Sequence, residues 1–102
     1  LAKRATVGFA RAGGMGHNGS GDIFLAFATG NDLVGEDGLR SLRMVPNRHL
    51  NPMFAAAAEA VEESIINAVV AAGTMTGWKK RTVHGLSGEA LREVLRRRGE
   101  TE

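Results

Sequence analysis

The sequence predicts an α+β domain, because short apolar runs come first along the chain and helical patterns follow them. Residues 6–11 and 23–29 are the predicted strands, and residues 52–72 show helical spacing. The 102 residues suffice for one small domain, 1–102, and not for two. A strand covered on both faces needs more sheet and helix than this chain offers, so we expect a further polypeptide segment to complete the fold.

The first half of the chain is predicted to hold two strands joined by a glycine-rich connection. Val7 and Phe9 alternate along 6–11, which favours a strand. Seven of the 14 glycines lie between Gly8 and Gly30, which indicates a shaped loop over 12–21. The apolar run 23–29 is short and bounded by glycines, so we expect a strand buried on both faces. A polar turn is expected over 30–38, and a short extended piece over 39–47.

The second half is dominated by a predicted helix from Pro52 to about Ala72. Asn51 is the expected N-cap and Gly73 the expected C-cap. An apolar stripe recurs at helical spacing and consists of Phe54, Ala58, Val61, Ile65, Val69 and Ala72. A short strand is expected at 82–84, and Ser87 is expected to cap a last helix that ends near Arg98.

The composition narrows the classes of function. The net charge is only +2, from 13 basic and 11 acidic residues, and this balance does not indicate nucleic-acid binding. The arginines at 96–98 suit the negative end of a helix dipole, and we prefer this interpretation to a nucleic-acid surface. Without cysteine, the chain has no disulfide and no thiolate metal site. No apolar run reaches the ~20 residues that cross a bilayer.

The stretch of residues that carries chemistry is 17–22. If a strand begins near Ser20, Ser20 and Asp22 face the same side, where a carboxylate needs hydrogen-bond donors or a cation. A plain polar turn that starts a strand is the simplest interpretation. An anion-holding nest over 12–21 is the alternative from another functional class, a small binding module.

Two other interpretations of this stretch fit poorly. The spacing Gly14-x-Gly16-x-x-Gly19 matches a dinucleotide fingerprint, but that motif needs a helix after the loop and an apolar strand is predicted there. A triad of His17, Ser20 and Asp22 is disfavoured because His17 would point to the opposite side of an extended segment. Three scattered histidines do not form a metal site.

Several segments in order resemble the DmpA/BapA group of aminopeptidases, also called the L-aminopeptidase/D-esterase group. The matching segments are Ala5-Thr6-Val7-Gly8-Phe9-Ala10-Arg11, Asn18-Gly19-Ser20-Gly21-Asp22-Ile23-Phe24-Leu25-Ala26-Phe27-Ala28-Thr29, Asn51-Pro52-Met53-Phe54, the helix 59–68, Thr74-Met75-Thr76-Gly77 and Thr82-Val83-His84-Gly85-Leu86. The resemblance is weakest at 32–50 and after Arg92.

The resemblance implies an α–β–β–α sandwich and an enzyme that cleaves its own precursor before a serine. That serine would be the nucleophile, and its free α-amino group the general base. The implied substrates are peptides, amides and esters with a free N-terminal amine, including D- and β-amino-acid peptides. No metal or organic cofactor is implied. The expected assembly is a homo-oligomer of processed αβ units, without nucleic acid or membrane.

By position, the resemblance assigns catalytic roles to Ser20 and Asp22. Asp22 would orient the α-amino group of the nucleophile, and Ser20 would hydrogen-bond its hydroxyl or amine. Some relatives carry glutamate in place of Asp22, so the shorter carboxylate must sit closer or act through water. The nucleophile, the first part of the β-subunit and the α-subunit are expected upstream of Leu1, so the chain alone is expected to be inactive.

Overall fold

The structure is a computed structural model, and it describes residues 1–31 and 38–99. The chain divides into two compact units, Leu1–Glu62 and Glu63–Glu102. The elements in chain order are α1 (Ala2–Arg11), a 3-10 turn (Asn47–His49), α2 (Leu50–Ala71), β1 (Met75–Thr76), a second 3-10 turn (Trp78–Lys80), β2 (Thr82–Val83) and α3 (Gly88–Arg97). The α+β class is therefore confirmed, whereas a single domain over 1–102 stays a prediction.

Helix α1 replaces the strand that was predicted over 6–11, so that prediction is wrong. The residues of α1 and its cap that solvent reaches least are spaced as in a helix; they are Ala2, Ala5, Gly8, Phe9 and Ala12. Val7 and Phe9 do alternate, but Val7 is exposed and Phe9 is partly covered. An alternation of only two residues is compatible with a strand or a helix. The three- and four-residue spacing of the covered positions is that of a helix.

Glycines end α1 in a Schellman motif. Gly13 lies just past the C-cap in the left-handed region, with φ of 94°. Its N–H donates to the carbonyl of Ala10 at 3.0 Å, and the N–H of Gly14 donates to the carbonyl of Phe9 at 2.9 Å. These two hydrogen bonds satisfy carbonyls that the last turn of a helix leaves open. The motif also turns the chain back along the helix.

Helix α1 packs in parallel against the first half of α2, and the point of closest approach is Gly8. A Cβ added to Gly8 would lie 2.2 Å from the carbonyl oxygen of Ala58 and 2.9 Å from Cβ of Val61. Ala58 is buried at the same contact. Only residues without a bulky side chain let two helical backbones come this close.

Two side-chain contacts flank this approach. The guanidinium of Arg4 lies 4.5 Å from the centre of the Phe54 ring, a cation–π contact. At the other end, Arg11 and Glu62 form an ion pair at 2.7 Å. The ion pair is partly exposed and contributes at most about 1 kcal/mol. Both contacts fix the direction in which α1 runs along α2.

The segment 23–29 has no regular secondary structure, so its prediction as a buried strand is wrong for this chain. Ile23, Leu25 and Phe27 are 90 %, 87 % and 85 % exposed. A strand exists only when its backbone groups pair with a neighbour, and no segment among residues 1–31 and 38–99 pairs with this one.

Of the predicted turn over 30–38, residues 32–37 lie outside the described part of the chain. The extended piece predicted over 39–47 is not a strand; instead, the Asn31 amide anchors the backbone of Arg43. Asn31 Nδ2 donates to the Arg43 carbonyl at 3.0 Å, and the Arg43 N–H donates to Asn31 Oδ1 at 2.8 Å. This pair of hydrogen bonds joins residue 31 to residue 43.

The predicted long helix is confirmed as α2. It begins at Leu50, so Asn51 lies inside the helix and its prediction as N-cap is wrong. Along the predicted stripe, solvent exposure is low from Phe54 to Ile65, whereas Val69 is 52 % exposed. None of the described helices has the length and apolar composition that a bilayer crossing requires.

The second unit holds an antiparallel hairpin and α3. The helix and the strand β2 were predicted, the latter over 82–84, whereas β1 was not. Met75 pairs with Val83 and Thr76 with Thr82. The base of the hairpin is tight, since a Cβ on Gly85 would lie 2.4 Å from the Ala72 carbonyl oxygen. Ser87 caps α3 and accepts a hydrogen bond from the Ala90 N–H at 3.2 Å.

We expect Gly8→Ala to lower the free energy of unfolding. The overlap with the Ala58 carbonyl should cost about 1–3 kcal/mol, more than the roughly 0.5–1 kcal/mol that alanine gains over glycine in a helix. Gly88→Ala is the matched control, because its Cβ meets nothing within 4 Å. Urea unfolding of both variants measures the difference. Equal stability of the two variants would contradict this packing.

Candidate functional site

The site begins with a tight turn at residues 17–20. The Ser20 N–H donates to the His17 carbonyl at 2.8 Å. Gly19, the third residue of this turn, has a φ of 89°. A type II turn requires a positive φ at that position, which glycine adopts without steric cost. Because the turn fixes the backbone of Ser20, it also fixes the direction in which the following extended residues leave.

Ser20 and Asp22 meet directly after this turn. The Ser20 hydroxyl donates a hydrogen bond to Oδ2 of Asp22. The two residues are two positions apart in a segment without regular secondary structure, and their side chains lie together, as the sequence pattern predicts. Both residues are exposed. The pair therefore presents an anionic carboxylate and a hydroxyl whose oxygen can still accept hydrogen bonds.

Asp22 borders a cavity of about 360 Å³ inside the first unit. One wall comes from α1 and the opposite side from the glycine-rich loop; the lining residues are Thr6, Phe9, Ala10, Gly14, Met15, Gly16, Asp22 and Phe24. Most of these side chains are apolar, so the carboxylate stands at the polar side of a largely apolar hollow. Such a hollow with few polar groups is the usual form of a small-molecule site.

Two aromatic rings in contact with each other line the cavity. Phe9 of α1 and Phe24 of the extended segment meet edge to face, with ring centres 6.3 Å apart and an interplanar angle of 60°. Gly14 lies against the Phe9 ring so closely that an added Cβ would be 2.4 Å from its carbon atoms. The Schellman motif thus places the loop over Phe9, and Phe9 in turn positions Phe24 two residues after Asp22.

The loop is poorly suited to the anion-binding alternative. A Cβ added at Gly16 would lie 3.9 Å from the carboxylate oxygen of Asp22, so an anion held there would meet a like charge. The N–H groups of Gly13, Gly14 and Ser20 already donate to carbonyls. A dinucleotide site is also disfavoured, because residues 21–29 after the loop have no regular secondary structure, whereas that motif needs a helix there.

The three histidines belong to three different parts of the chain. His17 opens the turn, His49 ends the first 3-10 turn and His84 follows β2; all three are exposed. Within residues 1–31 and 38–99, no group of three His, Cys, Asp or Glu side chains is placed to hold a metal ion. Four lining residues, Thr6, Phe9, Ala10 and Phe24, were not predicted as site residues. Only a helical α1 brings the first three to the cavity.

Comparison with protein-family models tests the family relationship that the sequence motifs indicate. The model of Peptidase family S58 matches residues 1–83. The chain belongs to this family. The S58 match includes the turn, Ser20, Asp22, both lining aromatic rings, α2 and the hairpin.

Two relatives in this family are β-peptidyl aminopeptidases called BapA. The chain is 46 % identical over 99 residues to the enzyme of Sphingosinicella microcystinivorans, covering 95 % of this chain and 25 % of that protein. It is 31 % identical over 101 residues to the enzyme of Sphingosinicella xenopeptidilytica, covering 96 % of this chain and 25 % of that protein. The chain therefore spans about a quarter of the length of these relatives.

Two solved structures share the fold of the chain. The PH0078 protein of Pyrococcus horikoshii OT3 is 44 % identical, with a TM-score of 0.91 over 98 % of this chain and 29 % of its own. A β-aminopeptidase of Burkholderia sp. is 46 % identical, with a TM-score of 0.85 over 99 % of this chain and 30 % of its own. The S58 chain described here thus corresponds to a contiguous part of longer proteins.

We expect Gly14→Ala to disturb the two aromatic rings that line the cavity. The new Cβ forces the Phe9 ring away, so the edge-to-face contact with Phe24 is lost, at a cost of about 0.5–1.5 kcal/mol. Gly21→Ala is the matched control, since its Cβ would meet nothing within 4 Å. Thermal unfolding measures the cost, which should shrink in a Phe24→Leu background. The same cost in both backgrounds would show that the ring contact is not involved.

Proposed function

We propose that the protein is an autoprocessed aminopeptidase that removes N-terminal residues from peptides, amides or esters, including β- and D-amino-acid substrates. The observation that carries this proposal is the hydrogen bond from Ser20 to Asp22 at the polar side of the cavity. The proposal is supported by membership of family S58 and by the 46 % identity to a β-peptidyl aminopeptidase.

The nucleophile in this proposal is a serine at the N-terminus of the processed chain, upstream of Leu1. Its α-amino group accepts the hydroxyl proton as the hydroxyl oxygen attacks the substrate carbonyl, and the amine becomes an ammonium. Ser20, Ser41, Ser64 and Ser87 all lie within the chain, so none of them has a free α-amino group.

Asp22 supplies the negative charge that this ammonium needs. A carboxylate about 4 Å from an ammonium stabilises it by roughly 4 kcal/mol at the effective dielectric constant of a protein surface. The stabilisation exists only after proton transfer, so it lowers the barrier without binding the neutral amine more tightly. Asp22 in this role both orients the base and favours its protonated form.

Ser20 acts as an acceptor in this arrangement. A hydroxyl has one proton to donate, and that of Ser20 is directed to Asp22. Its oxygen is left to accept an N–H of the nucleophile's amine or the proton of its hydroxyl. Asp22 fixes the orientation of Ser20, and Ser20 extends the reach of the short aspartate side chain. No step in this mechanism uses a metal or an organic cofactor.

The same proposal assigns a partner segment to the exposed apolar residues next to the site. Ile23, Leu25 and Phe27 directly follow Asp22 and are almost fully exposed. Pairing with the strand that carries the nucleophile would cover this segment and bring the N-terminal serine beside Ser20 and Asp22. The α-subunit would supply further walls of the substrate site, and processed αβ units would associate into a homo-oligomer.

Processing is tested on the full-length gene product. Intact-mass measurement and N-terminal sequencing should find two chains, the second beginning with serine and containing residues 1–102. The purified 102-residue chain should not hydrolyse α- or β-aminoacyl p-nitroanilides. A single uncleaved but active chain, or activity of residues 1–102 alone, would contradict the proposed nucleophile.

We expect Asp22→Asn in the full-length protein to lower kcat about a hundredfold or more, because the ammonium loses its counter-charge. Asp22→Glu keeps the charge and should retain much of the rate. Glu59→Gln removes an exposed carboxylate from α2 and is the matched control. Steady-state hydrolysis of β-alanyl p-nitroanilide gives kcat and KM for each variant. A normal kcat for Asp22→Asn would remove this residue from the site.

A further inference from the structure

The hairpin of the second unit ends in a compact tip, Gly77–Arg81, whose residues are all exposed. The Gly77 N–H donates to the Arg81 carbonyl at 2.8 Å, and the Arg81 N–H donates to the Trp78 carbonyl at 3.3 Å. Below the tip, the hydroxyls of Thr76 and Thr82 share a hydrogen bond of 2.9 Å across the strands. The tip is therefore held in one conformation by bonds along the hairpin itself.

Two lysines occupy positions of this turn that disfavour them. Lys79 has φ and ψ of 56° and 29°, and Lys80 has a φ of 59°. A turn with two such residues is of type I′, in which Asn-Gly is the preferred sequence. Lysine pays a conformational cost in the left-handed region, and such cost is characteristic of functional positions. The strained backbone therefore marks Lys79 and Lys80 as candidate functional residues.

The tip contains three consecutive basic residues. Lys79, Lys80 and Arg81 follow one another and are exposed. Among the described residues, no carboxylate lies within ion-pairing distance of these three side chains. By contrast, Arg96 and Arg97 of α3 are both paired with Glu93. A cluster of unpaired cations attracts an anionic surface.

Apolar groups lie beside these cations. Trp78 is 79 % exposed, and the cross-strand pair Met75 and Val83 is 69 % and 71 % exposed. The ammonium of Lys79 lies 4.3 Å from the centre of the Trp78 ring, so it covers one face of the indole. A tryptophan flanked by cations and aliphatic side chains suits the interface of a lipid bilayer.

The geometry points to the tip Gly77–Arg81 as a docking site for a membrane surface that contains anionic phospholipids. The cations contact the headgroups, and Trp78 with the Met75–Val83 pair enters the interfacial layer. Each basic residue near such a surface strengthens binding roughly fivefold. This site is independent of Ser20 and Asp22, and it would place the protein at a membrane surface, in contrast to the expectation drawn from the family resemblance.

The test measures co-sedimentation of the full-length gene product with phosphatidylcholine vesicles, with and without phosphatidylserine. Wild type should bind only vesicles that contain phosphatidylserine, less at high salt. Lys79→Asn with Lys80→Gly removes two charges and gives the turn its preferred sequence, so the hairpin stays folded. Its partition coefficient should fall roughly twenty- to thirtyfold. Lys80→Gln with Arg81→Gln should show a similar fall, and Trp78→Ala a smaller one.

The matched control is Arg92→Gln with Arg98→Gln, which removes two exposed charges from α3 and its cap. Retained binding by this variant and lost binding by the tip variants would support the proposal. Equal losses in both double variants, or no phosphatidylserine-dependent binding by wild type, would overturn it. Tip-dependent binding to a single-stranded oligonucleotide in place of vesicles would also overturn it.

Discussion

The close approach of α1 to α2 at Gly8 is the constraint on which the site depends. Because the Ala58 carbonyl leaves no room for a Cβ there, α1 lies directly on the backbone of α2. With α1 fixed, the Schellman motif at Gly13 sends the loop back over Phe9. Phe9 then supports Phe24, which anchors the segment that carries Asp22. The close approach at Gly8 thus positions the cavity wall beside Asp22, whereas the contact between Ser20 and Asp22 is local.

The free energy with which Asp22 attracts an ammonium depends on whether solvent or protein surrounds its carboxylate. An ammonium about 4 Å from a carboxylate gains about 1 kcal/mol in bulk water and roughly 4 kcal/mol near a protein surface. Asp22 is exposed, and Ile23, Leu25 and Phe27 beside it expose apolar surface. Covering these residues would therefore do two things at once: it would remove apolar area from water and lower the dielectric constant around the carboxylate. Under the proposed function, assembly and activation are the same event.

The sequence predicts the elements that depend on local residue patterns. It does not predict the elements whose structure depends on contacts with distant parts of the molecule. Helix α2, the strand at 82–83 and the Ser87 cap follow from helical spacing, β-branched residues and hydrogen-bonding side chains. The strand predicted over 6–11 rests on Val7 and Phe9 alone, whereas the spacing from Ala2 to Ala12 is helical. The prediction for 23–29 fails for a different reason, since apolar composition does not provide the neighbour that a strand needs. The cavity was not predicted, because it requires α1 to be a helix.

The contact between Ser20 and Asp22 was nevertheless predictable, because six consecutive residues build it. The turn at 17–20 needs only Gly19, and the two side chains that meet after it are only two positions apart. Neither condition depends on the structure of α1 or on pairing of 23–29. The family motif is therefore informative although the predicted elements before and after it are wrong. Under the proposed function, a pair organised by its own backbone is ready before a second segment arrives, so docking would only have to deliver the amine, at little further entropic cost.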